Sequence, residues 1–144
     1  MKPLKNFEEF IRNGTVRKIS PDTPRAKSLI EEAERRKRFI HEMVEKIGMN
    51  DENANHFIET SYDILIGLIR AKLLTKGFNS SGKGAHEAEV SFMRNLGFSE
   101  KDVRFMNDLR YYRNGILYYG EQFNADYGKK VLDFLNRVFA KLKS

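Results

Sequence analysis

Residues Leu109 to Gly120 read Leu-Arg-Tyr-Tyr-Arg-Asn-Gly-Ile-Leu-Tyr-Tyr-Gly, and here residue types and spacing come closest to naming a chemistry. At about 100° per residue, Arg110, Arg113, Asn114, Tyr118 and Glu121 gather on one side of a helix. Phe105, Leu109, Tyr112, Ile116, Tyr119 and Phe123 share roughly the opposite face, which predicts a core stripe with Tyr119 in it. The polar set is left for water or a partner. A guanidinium stays charged at every relevant pH, and its planar fork gives two hydrogen bonds to a phosphate. Arg113 is therefore the candidate phosphate contact, with Asn114 beside it as a neutral donor and acceptor for phosphate or ribose. The bland alternative is that both residues make interhelical or intersubunit hydrogen bonds and no chemistry.

The elements that must position this face are helices. The three prolines all lie at or before Pro24, and long stretches carry helix-period apolar spacing, so the class is all-α: an antiparallel bundle of four to five main helices. A short helix over 5–12 stops at Asn13-Gly14. Ser20-Pro21-Asp22-Thr23-Pro24 opens a long helix whose stripe includes Ala26, Leu29, Ile30, Ala33, Ile40, Met43, Val44 and Ile47, ending at Gly48. The next starts at Asn50 or Asp51 and runs to about Lys76. Its middle, Ile64 to Ile69, is apolar nearly all round, which suits a bundle centre or a dimer seam. Gly77 to Gly84 reads as a flexible loop; no strand is expected, and GxxxxGK[ST] is absent, so it is not a phosphate loop. Helices follow over 85–95, from Ser99 to about Phe123, and over 126–141.

Composition bounds the rest. A chain of 144 residues is the length of one domain, 1–144, with a sizeable core. The absence of cysteine excludes disulfides and thiolate metal sites and suits a reducing cytoplasm. No apolar run approaches the roughly 18 residues that span a bilayer, so no membrane partner is expected and a cytoplasmic location is the default. A net charge of +6 and a pI near 9.5 favour polyanionic partners; a solvated Lys/Glu surface gives the same numbers. Arg35-Arg36-Lys37-Arg38 poses the same choice, as a solvated run or an edge for RNA or an acidic protein partner, with Glu31, Glu32 and Glu34 partly cancelling its field. His41 and His56 lack any HExxH-type spacing, so neither metal nor cofactor is expected.

The signature segment resembles that of the HEPN superfamily, small helical domains often encoded beside nucleotidyltransferases, whose motif is Arg, usually Asn, a few residues, then His. Arg113-Asn114 fits the start, and Tyr118 stands where the histidine is expected. Pro24 to Glu34 is similar to the first long helix of archaeal and bacterial members, and Gly77-Phe78-Asn79 through Ala85-His86-Glu87-Ala88 to their Gly-aromatic loop and His-Glu-Ala helix start. The likeness covers about residues 20–140. It implies a homodimer in which two subunits line a cleft, RNA or a nucleotide as ligand, and a nucleotidyltransferase as partner protein.

Metal-independent RNA cleavage, the toxin-type activity in such proteins, needs a proton acceptor for the 2′-hydroxyl, a donor to the leaving oxygen and positive charge at the phosphate. Arg113 suits the last. A phenol titrates near about 10 against about 6.5 for imidazole, so a tyrosine is a poor base at neutral pH. Losing a positioned histidine costs about two to four orders of magnitude in rate. His86, at a loop-to-helix junction, could supply the missing imidazole if its loop approaches Arg113 in the folded dimer; otherwise it bonds the neighbouring backbone. The candidate site is thus Arg113, Asn114, Tyr118 and His86. The leading expectation is an RNA- or nucleotide-phosphate-binding protein with a weakened or absent catalytic site; the alternatives are an active metal-independent endoribonuclease and a structural helical module.

Overall fold

The computed structural model describes residues 2–144. In chain order it contains α1 (Phe7–Arg12), β1 (Val16–Lys18), α2 (Thr23–Lys46), α3 (Ala54–Thr75), β2 (Phe78–Ser80), α4 (Ala85–Asn95), α5 (Glu100–Tyr119) and α6 (Ala125–Lys143). The five longer helices form the bundle, as the periodicity predicts. No helix among the described residues is long and apolar enough to cross a membrane.

The helix starts follow from short polar side chains. Asp22 accepts from the Arg25 N–H at the head of α2, Ser99 from Asp102 at α5, and Asn124 from Tyr127 at α6, each satisfying a backbone donor that the first turn leaves open. The helix α3 occupies the centre, packing on α2, α4, α5 and α6. Ile58, Leu65, Ile69 and Leu74 are completely buried on it, and each such side chain contributes about 1.5 to 3 kcal/mol. An aromatic layer joins α5 to α6: Phe105 meets Phe134 at 4.4 Å between ring centroids, and Tyr112 meets Tyr127 at 5.7 Å. The same pair of helices is tied by a double hydrogen bond from Arg137 to Asp102, 2.8 Å in each arm.

Three boundaries depart from expectation. First, β1 and β2 pair antiparallel, Val16 with Ser80 and Lys18 with Phe78, although no strand was expected there. Strands of three residues are too short to show alternation, and the partners lie far apart in sequence. Gly77 makes the ribbon possible: it has φ of +84°, and a Cβ there would stand 2.8 Å from the Ile19 carbonyl. Second, α3 begins at Ala54, not Asn50 or Asp51, because residues 50–53 are held in a turn. The Asn50 side-chain oxygen accepts from Glu52 and Asn53, and that of Asn53 accepts from Asn50. Third, α5 stops at Tyr119 rather than near Phe123. Gly120 takes the left-handed conformation (φ 65°), and the Glu121 N–H returns to the Gly115 carbonyl at 3.2 Å, a glycine-terminated helix end.

Candidate functional site

The chain turns into α4 through Gly84, whose φ of 88° is open to glycine and strained for other residues. That turn sets His86 in the first turn of α4, facing the end of α5. His86, Arg110, Arg113, Asn114 and Tyr118, with Tyr62 from α3 and Lys83 from the loop, line one cavity of about 370 Å³. The four candidate residues named from sequence are therefore brought together within a single protomer. His86 and Arg113 border the same cavity of one chain.

Arg113 is anchored by Asp63 of α3, its Nε donating at 2.9 Å, and its guanidinium lies 5.8 Å from the centre of the Tyr62 ring. Its side chain keeps 25% of its surface exposed, so the fork retains donors for a ligand. Arg110 donates to the Asn107 side-chain oxygen at 3.0 Å and lies 4.0 Å from Glu87. Tyr118 is 75% exposed.

Behind His86 stands a group that motif reading missed. Glu89 is fully buried, yet its carboxylate accepts from Arg70 Nε at 2.6 Å, from Arg70 Nη2 at 3.1 Å and from the Ser80 hydroxyl at 2.8 Å. Three donors thus compensate the loss of water around this carboxylate. The hydrogen bond to Glu89 holds the Arg70 guanidinium even more firmly protonated than usual. Ser80 reaches it only because β2 pairs with β1.

The imidazole of His86 is held from two sides. Its Nδ1 lies 3.2 Å from the Tyr62 hydroxyl and 3.9 Å from Glu89 Oε1; only the first is a hydrogen-bond distance. Burial pushes the His86 pKa below its ordinary value; Glu89 opposes that shift, while Arg70 and Arg113 add to it. Tyr62 is 1% exposed, and burial, reinforced by Glu89, pushes its phenol well above the usual range, so it keeps its proton.

Tyr119 is a correction. Its place on the apolar stripe predicts burial, but it is 83% exposed. The stripe outruns the core: the glycine-terminated end at Gly120 turns the chain away, and Phe123 returns onto Tyr112 in its stead. Tyr111 and Leu117 are also exposed on α5, at 57% and 48%.

Tyr62, Asp63, Arg70, Ser80 and Glu89 escaped the sequence reading. One signal was available for Glu89, a charged residue at a core position between Ala88 and Val90 and three places after His86. The basic run of α2 is largely solvated, with Arg35 on Glu32 at 3.4 Å and Lys37 4.9 Å from the Phe139 ring centre.

No family model, no curated protein and no solved structure matches the chain.

Proposed function

We propose that the chain is a HEPN-like protein that binds RNA or a nucleotide through its phosphate in the cavity between α4 and α5, with little or no catalysis of its own. The observation that carries this reading is the convergence of Arg110, Arg113, Asn114 and His86 on one small polar space. Two guanidinium groups and an amide there can answer the charge and lone pairs of a phosphate. Tyr118, exposed at the rim, offers a face for base stacking, worth about 1 to 3 kcal/mol. Exposed Tyr111, Leu117, Tyr118 and Tyr119 give α5 an apolar surface suited to a homodimer. A nucleotidyltransferase as second partner rests on the family resemblance alone.

One observation favours a second reading, metal-independent RNA cleavage: His86 lines the cavity that Arg113 lines, so an imidazole is present although Tyr118 occupies the motif position. Binding of a fluorescent single-stranded RNA, measured by anisotropy at low and moderate salt, tests the first reading. Arg113→Ala should weaken binding about tenfold to a hundredfold, the worth of a charge-assisted hydrogen bond. Equal affinity of variant and parent removes Arg113 from the site. Metal-free cleavage by the parent, abolished in His86→Ala, would favour the second reading.

A further inference from the structure

We propose that Tyr62 is the positioning residue for His86: its hydroxyl donates to Nδ1 and so fixes the neutral ring with its proton on Nε2, making His86 a hydrogen-bond donor to the ligand and not a base.

The argument is an accounting of donors and acceptors. The Tyr62 hydroxyl has one hydrogen-bond partner among the described residues, the Nδ1 of His86, and the side chain, although it borders the cavity, is only 1% exposed. A buried hydroxyl seldom keeps its proton without an acceptor. Among the described residues Glu89 is the one carboxylate within 4.0 Å of this nitrogen, yet its Oε2 already accepts from Arg70 and Ser80 and its Oε1 from Arg70. At 3.9 Å from Nδ1 it is too distant to accept from the ring. A proton on Nδ1 would face the phenol oxygen and leave the phenol's own proton without an acceptor. With Tyr62 as donor, both groups are satisfied, and a neutral imidazole that accepts at Nδ1 carries its proton at Nε2.

The depressed His86 pKa agrees with a ring that stays neutral in this setting. Such a ring has no free lone pair for the 2′-hydroxyl proton of RNA, and surrendering its own proton would leave an imidazolate. It acts as a neutral donor to developing or fixed negative charge, as histidines held in one tautomer do elsewhere. Arg110, Arg113, Asn114 and His86 then all offer donors to the cavity and outweigh Glu87, the carboxylate in its lining, which suits a phosphate. This last step rests on the phosphate-binding reading above; the tautomer assignment does not.

Long-range proton–nitrogen NMR correlations on the full-length, nitrogen-15-labelled protein at mildly alkaline pH read the tautomer directly. The expected result is a protonated Nε2 and a bare Nδ1 for His86, unchanged in Glu89→Gln and shifted toward Nδ1–H in Tyr62→Phe. A proton on Nδ1 in the parent overturns the inference, as does a tautomer that follows Glu89→Gln. If Tyr62→Phe does not fold, the parent and Glu89→Gln spectra still decide. Inorganic phosphate added to the parent should move the Nε2 resonance. If the parent tautomer is as expected but phosphate and RNA leave that resonance unmoved, the phosphate reading fails and the tautomer stands.

Discussion

Replacing Glu89 by glutamine tests whether the buried carboxylate is what holds α3, β2 and α4 together behind the cavity. The change keeps shape and removes charge. Glu89 accepts three hydrogen bonds, two from Arg70 and one from Ser80; glutamine has a single acceptor oxygen, and its amide nitrogen must face a donor. Hydrogen bonds to a charged group contribute about 1.5 to 3 kcal/mol and neutral ones about 0.5 to 1.5. Exchanging three bonds to a carboxylate for two to an amide oxygen, with one donor–donor contact against Arg70, therefore costs roughly 2 to 4 kcal/mol. Arg70 keeps 30% of its side chain exposed, so water relieves part of its lost pairing and the lower half, about 2 to 3 kcal/mol, is expected. Against a total stability of about 5 to 15 kcal/mol this is a large fraction. Urea unfolding followed by far-UV circular dichroism should show a lower midpoint with an unchanged slope, and the melting temperature should fall by about 6 to 12 °C. A companion pair, Glu89→Leu with Arg70→Met, should recover much of the loss, because it leaves no stranded charge. A loss below about 0.5 kcal/mol in Glu89→Gln, the level of an ordinary surface change, would refute this account of the network.

Two further outcomes are expected. If the parent lacks a free imidazole lone pair, Tyr118→His should produce EDTA-resistant RNA cleavage that disappears when Arg113→Ala is added; robust parent cleavage that survives His86→Ala would sink both functional readings. The Arg137 guanidinium holds the Asp102 carboxyl below the usual carboxylate range, so this pair stabilises the fold above the ordinary carboxylate pKa and the contribution fades as pH falls through the depressed one. Arg137→Gln should flatten that acid branch of the urea midpoint, and identical acid sensitivity in variant and parent would count against the pairing.

Helix periodicity carried most of the fold because five elements bury a face for several turns. Ala85 to Asn95 could be bounded to the residue, since Gly84 and Gly97 punctuate a single stripe. The small ribbon could not be read, since Val16 to Lys18 contains one alternation at most and its partner is fixed by tertiary approach around Gly77. Tyr119 misled for the converse reason: a stripe records which face is apolar, not where the neighbouring helix ends. At the site, Arg113 and Asn114 were legible as one helical face and His86 as a junction residue. Tyr62, Asp63 and Arg70 come from a helix whose sequence reads as core, and only packing brings them to the cavity.

The ribbon also bears on how the chain is made. On the ribosome β1 emerges before its partner, and Ser80 follows only after α2 and α3 have been synthesised, several seconds later at about 5 to 20 residues per second. Throughout that interval a strand edge stands open. Two of its three residues, Arg17 and Lys18, are charged and solvent-facing, and charges on an edge discourage pairing with a neighbouring nascent chain. The short, basic, nearly featureless sequence that hid β1 from inspection is thereby suited to waiting unpaired.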